Sequence, residues 1–216
     1  MDVNAFVGRY PNLYHMAEAD TWPSIRQFGL LSTSAALDHF GISGDDRLLH
    51  EVTHRPEKVA VGPIGAQIVL RDQKPMFPDR LTKALQGVTP AEWYKFLNNK
   101  VFMWAQEHRL LGLLGARGYN KLEHDVLTID TAKFMDKYAG SVWLCPMNSG
   151  NTFPMPHPRS LETFQRLANY PIKRSGAPEK EVVEVVTDYS VPDIAEFVIE
   201  VRRMQGANVL GTLPIW

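Results

Sequence analysis

The sequence predicts an α+β fold in which short strands alternate with helices along a single domain, residues 1–216. Two apolar runs, at 67–70 and 182–187, are short and rich in β-branched side chains, as strands are. Helix-start signals separate such runs, as where Thr89 precedes Pro90. No G-x-G-x-x-G turn follows a strand, so the pattern does not favour a doubly wound dinucleotide-binding fold.

The remaining elements follow from the same local signals. Gly29 is expected to stop the first helix as its C′ residue, and the polar residues 41–58 predict a loop with one short helix. The predicted strands span 12–15, 66–70, 101–104, 125–130, 142–144 and 182–187. The predicted helices span 23–28, 35–40, 90–98, 107–116, 131–137, 160–168 and 191–204. Prolines at 146–160 and polar side chains at 171–180 predict two longer loops.

Composition and charge are those of an ordinary globular protein. Apolar residues make up 44% and charged residues 22% of the chain, which excludes disorder on composition alone. A net charge of −1 is not that of a nonspecific nucleic-acid coat, although a local basic patch is compatible with it. Cys145, the single cysteine, lies in an apolar run and is expected to be a buried thiol. No segment resembles a membrane span or a signal peptide, so we expect a cytoplasmic protein without membrane contact.

Glu184 is the most informative single residue. It stands inside the strand Val182-Val183-Glu184-Val185-Val186. An ionised carboxylate among valines costs free energy unless it is paired or faces a cleft. The alternative is an edge strand from which Glu184 points into water.

The first strand carries a second signal, the pair Tyr14 and His15. A strand histidine on its own is more commonly a core residue with satisfied hydrogen bonds. The order of features favours a site instead. After the Tyr-His pair come a short helix, the Gly29 stop and the hydroxyls of Ser32 and Thr33, and much later a strand glutamate before a Val-Pro pair.

In this order and spacing the sequence resembles the ADP-ribosyltransferase superfamily, and within it the DarT-like enzymes that modify nucleic-acid bases. Residues 12–16 (NLYHM) and 24–32 (SIRQFGLLS) match the strand, helix and Gly-Leu-Ser start of that family. Glu184, with Val191-Pro192 seven residues on, matches its catalytic strand. Weaker matches are Arg55 and the aromatic strand 101–104, which is followed by Arg109. The loop 145–152 has no counterpart there, which is compatible with a sister family.

The resemblance implies the split β-sheet core of short strands, flanked by helices, of that superfamily, with NAD as co-substrate. It makes Glu184 the catalytic carboxylate that stabilises positive charge on the ribose as nicotinamide leaves, and Arg109 an orienting cation. His15 would donate a hydrogen bond to the adenosine ribose, and Arg55 would face the diphosphate. The other cofactor contacts expected on this resemblance are Tyr14, Ser32, Thr33 and Trp104.

The expected acceptor is a base of DNA or RNA, as for a toxin or defence effector that has an antitoxin or a hydrolase as partner. An amide- and hydroxyl-rich loop would contact it through Asn148, Ser149, Asn151, Thr152 and Arg159. The alternative is a turn stabilised by its own side chains. Other acceptors also stay open: a protein, a small molecule or water, as in an NAD glycohydrolase. So does a module that binds NAD or ADP-ribose without turnover.

Neither a metal site nor an enzymatic nucleophile is predicted. Only His50 and His54 have ligand-like spacing, and without a third ligand they are more typical of a solvated helix face. No G-x-S-x-G motif is present, and Cys145 has no histidine near it in sequence.

Overall fold

The computed structural model describes residues 1–216, which form short strands and helices in alternation. The strands are β1 (Asn12–Glu18), β2 (Leu30–Leu31), β3 (Val59–Val61), β4 (Ile68–Leu70), β5 (Lys100–Trp104), β6 (Glu123–Asp130), β7 (Val142–Cys145), β8 (Gln165–Arg166), β9 (Glu184–Asp188), β10 (Ser190–Val191), β11 (Val198–Gln205) and β12 (Asn208–Leu213). The helices are α1 (Val3–Arg9), α2 (Trp22–Phe28), α3 (Thr33–His39), α4 (Gly44–Glu51), α5 (Pro78–Ala84), α6 (Pro90–Asn98), α7 (Glu107–Leu114) and α8 (Thr131–Tyr138). Three single 3-10 turns lie at Leu161–Thr163, Leu167–Asn169 and Ile194–Glu196.

Eight of the strands form one antiparallel sheet in the order β12-β11-β6-β1-β5-β9-β7-β8. Two small antiparallel pairs, β10 with β2 and β3 with β4, lie outside it. The predicted mixture of helices and short strands is therefore confirmed. No helix has the length and apolar character that crossing a bilayer requires.

The large sheet is narrowly joined in its middle. β1 pairs with β6 along its whole length, from Asn12 to Glu18. On its other side β1 pairs with β5 through one residue pair, Tyr14 opposite Trp104. β5 then pairs with β9 over its full length. We call the β1–β5 junction the seam, because it leaves room between the two halves of the sheet.

Alternate residues of the strands face two different cores, as the pleat requires. Leu13, Met103, Leu127 and Val185 face the largest apolar cluster, in which Phe134 of α8 also lies. The opposite face of the sheet carries two smaller clusters. One contains Trp93 and Leu97 of α6, and the other contains Leu110 and Leu114 of α7. Cys145 is fully buried, as expected.

The predicted helix at 191–204 is wrong. Residues from Val198 onward form β11, which continues through a turn into β12. Register shifts next to Val198 and after Arg203 interrupt the strand's alternation. The buried residues of β11 are consequently Val198, Val201 and Met204, which lie three residues apart. This spacing resembles that of one face of a helix.

The predicted helix at 160–168 is also wrong, because two 3-10 turns flank the short strand β8 there. Leu161, Phe164 and Leu167 recur every three residues, which suits 3-10 turns as well as one face of an α-helix. The sequence analysis also missed α1, α5, β3, β10 and β12. The other predicted strands and helices are present, with ends that differ by a few residues.

Candidate functional site

A cavity of about 350 Å³ opens at the seam. Its walls come from β1, β5, the start of β9, the segment 28–33, the segment 67–76 and the loop 148–150. The volume lies in the range of about 300–1,000 Å³ that small-molecule sites occupy. Eight of the residues singled out from sequence line it: His15, Ser32, Thr33, Arg55, Trp104, Asn148, Ser149 and Glu184. No group of three His, Cys, Asp or Glu side chains in the chain could hold a metal ion.

Two distant parts of the sequence meet beside this cavity. β2, directly after Gly29, pairs with β10, so that Leu30 stands opposite Val191. Gly29 has a φ of 80°, and a Cβ atom there would lie 2.4 Å from the Val191 carbonyl oxygen. Only glycine fits this approach. The Gly-Leu and Val-Pro motifs, far apart in sequence, are therefore in contact, and Gly29 and Leu30 of the first line the cavity.

Glu184 is a buried carboxylate at the start of β9, only 4% exposed. Its Oε1 accepts a hydrogen bond from the Ser149 backbone N–H at 3.1 Å, while its Oε2 is buried without a partner in the protein. Burial raises the pKa of Glu184 to about 7, against the lowering effect of the Ser149 hydrogen bonds and of nearby Arg159. A buried oxygen without a partner, on a residue that lines a cavity, indicates a functional group rather than a structural one.

The loop that carries Ser149 is held from inside by Arg159, which is 1% exposed. Its guanidinium donates to the carbonyl oxygens of Ser149 at 2.7 Å, Asn151 at 2.9 Å and His157 at 3.1 Å. Asn148 Oδ1 closes the turn by accepting from the Gly150 N–H at 3.1 Å. Arg159 is thus committed to the loop and positions the hydrogen bond on Glu184.

His15 lies at the seam itself, half-buried on β1. Its Nδ1 is 2.8 Å from the Phe102 carbonyl oxygen, which can only accept, so Nδ1 carries the proton. Burial lowers the pKa of His15 to about 4, which keeps the ring neutral near pH 7. Nε2 is then an acceptor. The ring would therefore accept a hydrogen bond from a ribose hydroxyl, rather than donate one as the sequence analysis expected.

Arg55 lines the cavity but its donors are already engaged. They reach the carbonyl oxygens of Arg71 at 2.7 Å and His50 at 2.9 Å. They also reach Asn98 Oδ1 at 3.1 Å and Thr33 Oγ1 at 3.2 Å. Four of the five guanidinium N–H groups are used in this way. Burial lowers the pKa of Arg55 to about 10. The geometry makes Arg55 a clamp between α3, α4 and α6, which does not suit the diphosphate contact expected of it.

Arg71 is a cation of the cavity wall whose donors are mostly free, and sequence reasoning missed it. Its guanidinium lies 5.2 Å from the centre of the Tyr119 ring and makes one long hydrogen bond, 3.4 Å, to the Met16 carbonyl oxygen. Asp72 beside it accepts from the Tyr119 hydroxyl at 2.6 Å, and its second oxygen is buried without a partner. The available signal was a charged pair, Arg71-Asp72, directly after a short apolar strand.

The hydroxyl and aromatic residues predicted to hold the cofactor differ in their positions relative to the cavity. Ser32 is the N-cap of α3 and its Oγ accepts from the Ala35 N–H at 3.1 Å. Trp104 stands beside Glu184 on the neighbouring strand and lines the cavity. Tyr14 does not line it, because its side chain packs with the α7 cluster around Leu110.

Four other predicted site residues also lie off the cavity. Arg109 is exposed on α7, so the catalytic role expected of it has no support in this arrangement. Thr152 is fully buried and joins two loops, since its Oγ1 donates to the Pro75 carbonyl oxygen at 3.2 Å and accepts from the Phe77 N–H at 2.8 Å. Asn151 accepts from the Phe153 N–H at 2.8 Å. With Arg159, these loop side chains stabilise a turn, which is the alternative that the sequence left open.

The model of a family of unknown function, DUF7002, matches residues 11–198, a range that includes every residue lining the cavity. No curated protein matches the chain.

Proposed function

Since the chain belongs to the family of unknown function DUF7002, we propose its activity from its own site: it is an NAD-dependent ADP-ribosyltransferase with a split-sheet core. One observation carries the proposal. Glu184, a buried carboxylate with an unpaired oxygen, lines a ligand-sized cavity at the seam together with a neutral His15. The sequence resemblance supplies the identity of the ligand.

The proposed reaction breaks the bond between C1′ of the ribose and the pyridinium nitrogen of NAD. Nicotinamide leaves as a neutral molecule with the bonding electron pair, and positive charge develops on the ribose. The ionised Glu184 carboxylate stabilises that charge and orients the ribose hydroxyls. A lone pair of the acceptor then forms the new bond to C1′, and the proton that the acceptor loses passes to Glu184 or to water.

The residues around Glu184 divide the binding of the dinucleotide among them. The Ser149 N–H holds Oε1 and leaves Oε2 for the ribose. His15 Nε2 accepts from a hydroxyl of the adenosine ribose. Arg71, rather than Arg55, faces the diphosphate, because most donors of Arg71 are free whereas four donors of Arg55 are engaged. Trp104 flanks the nicotinamide.

The acceptor we propose is a base of DNA or RNA, on the strength of the resemblance to DarT-like enzymes. In that case the protein is a toxin or defence effector, and an antitoxin or a hydrolase that removes the mark would be its partner. Transfer to a protein, to a small molecule or to water would use the same Glu184 chemistry.

The test uses NAD that is labelled in its adenylate half and measures transfer of the label to single-stranded DNA, to RNA or to the protein itself. We expect label on an oligonucleotide with the wild type and a loss of at least a hundredfold with Glu184→Gln, which keeps the shape and removes the charge. The matched control is Glu162→Gln, an exposed glutamate in a 3-10 turn.

Each other outcome has a clear meaning. Label on protein alone would show that the acceptor is a protein, and free ADP-ribose alone would show that it is water. The enzyme would still cleave NAD by the same chemistry in both cases. No release of nicotinamide by the wild type, or equal release by Glu184→Gln, would refute the transferase.

A further inference from the structure

An aromatic patch lies at the surface close to Glu184. Phe77, at the start of α5, is 47% exposed and Phe153, in the loop after β7, is 56% exposed. Their ring centres are 6.2 Å apart. The Arg80 guanidinium lies 5.5 Å from the Phe77 ring and 5.1 Å from the Phe153 ring. We call these three residues the Phe-Arg-Phe platform.

The platform is fixed in place. Arg80 donates to the Pro154 carbonyl oxygen at 2.6 Å, which ties α5 to the loop. The Phe77 N–H donates to Thr152 Oγ1 at 2.8 Å, and the Thr152 N–H donates to the Pro75 carbonyl oxygen at 3.0 Å. A surface whose aromatic groups are held in this way loses little conformational entropy when a flat ligand stacks on it.

The platform continues the wall of the cavity. Met76 and Gly150 line the cavity, and they stand one residue before Phe77 and three residues before Phe153. Ser149, whose N–H binds Glu184, is four residues from Phe153. Even a fully extended chain spans at most about 14 Å over that distance. A ligand seated on the platform can therefore reach the mouth of the cavity.

The charge around the platform favours an anionic partner. The loop 146–160 contains no aspartate or glutamate, and its Arg159 is buried among loop carbonyl groups. The charges beside the rings are therefore those of α5, where Arg80 and Lys83 outnumber the exposed Asp79. Lys83 of α5 is exposed on the same helix as Arg80. Exposed aromatic rings together with arginine, next to positive charge, are the means by which proteins bind single-stranded nucleic acid without reading its sequence.

We propose that the Phe-Arg-Phe platform binds a single-stranded nucleic acid by stacking the base next to the one that enters the cavity. Phe77 and Phe153 stack on the base, and Arg80 adds a cation–π contact and charge. This inference deepens the proposed function and rests on it for the transfer step, whereas binding of the strand is independent of NAD.

The experiment measures the fluorescence anisotropy of labelled 12-nucleotide single strands and of the matching duplex. Phe77→Leu/Phe153→Leu keeps apolar side chains and removes the rings. We expect it to weaken single-strand binding about tenfold or more, because stacking of each base on an aromatic ring is strong. Trp216→Ala is the control, since Trp216 is 87% exposed and distant in sequence. Nicotinamide release without an acceptor should be unchanged in the double variant.

The outcomes separate this inference from the proposed function. Single-strand binding that is unchanged in the double variant, or equally weakened by Trp216→Ala, would overturn the platform whatever the enzyme does. Wild-type binding that depends on both rings, with no label transferred from NAD, would support the platform and refute the transferase. Tighter binding of duplex than of single strand would also overturn the inference, because paired bases are not free to stack.

Discussion

At the scale of single residues, burial shifts the pKa values of two ionisable groups that line the cavity in opposite directions. It raises the pKa of the acid, Glu184, to about 7 and lowers the pKa of the base, His15, to about 4. Both effects favour the neutral form, because a charge in an apolar surrounding is poorly solvated. In the proposed reaction, Glu184 must therefore ionise before it can stabilise positive charge on the ribose.

The first prediction concerns the pH dependence of nicotinamide release. Only the ionised Glu184 stabilises the ribose cation, so kcat/KM should rise with pH along an acid limb near pH 7. Initial rates between pH 3.5 and 9 would show this limb. A limb near pH 4.5, the ordinary range of a glutamate, would contradict the role given to burial.

A second prediction concerns stability and needs no activity. The folded pKa of Glu184 lies above its unfolded value, so the unfolded state releases this proton first as pH rises. The stability that protonated Glu184 contributes to the folded state is present in full below about pH 4.5 and is lost as pH rises through about 7. Glu184→Gln should therefore be more stable than the wild type at pH 8, by up to about 3 kcal/mol, and show little of this gain at pH 4. Thermal unfolding at the two pH values decides, and an equal difference at both would contradict it.

At the scale of elements, two arginines of one wall do different work. The third prediction separates them. Arg55→Ala leaves buried acceptors on three helices and a loop unpaired, and should lower the free energy of unfolding by about 3 kcal/mol or more. Arg71→Ala should change stability by about 1 kcal/mol or less, yet raise KM for NAD about tenfold or more. Denaturant unfolding and steady-state kinetics measure the two effects. If Arg55→Ala raised KM and Arg71→Ala lowered stability instead, Arg55 would be the residue that binds the diphosphate.

Arg55 and Arg71 show which features of the site can be predicted from the sequence and which cannot. A local pattern located Glu184, His15 and most strands, because a carboxylate among valines or a Tyr-His pair before a glycine stop is visible along the chain. Whether a guanidinium is free depends on carbonyl groups from elements far away, so the roles of Arg55 and Arg71 could not be assigned. The β-bulges of β11 likewise converted a strand pattern into a helical one.

At the scale of the whole molecule, the site depends on contacts between the ends of the chain. β2 and β10 pair across about 160 residues, and Gly29 permits their approach. Each of the two motifs, Gly29-Leu30 and Val191-Pro192, is visible in the sequence. Their contact could not be predicted, because it depends on the topology of the fold.

The fourth prediction tests this approach. Gly29→Ala puts a methyl group 2.4 Å from the Val191 carbonyl oxygen at a positive φ, and should lower the free energy of unfolding by roughly 2 kcal/mol or more. Gly112→Ala is the matched control, because that glycine lies in α7 with open space around it. It should be neutral or stabilising by up to about 1 kcal/mol. Equal unfolding midpoints for the two variants would show that the close approach is not needed.

The seam has a consequence for amide hydrogen exchange. A strand in the middle of a sheet is ordinarily protected along both sides, yet β1 meets β5 through one residue pair only. The amides that β1 directs toward β6 belong to a continuous ladder and exchange through global opening, whereas those it directs toward β5 lie beside the cavity. A central strand of the sheet is thus protected along one edge only, and a ligand that fills the gap would slow amide exchange along the other edge.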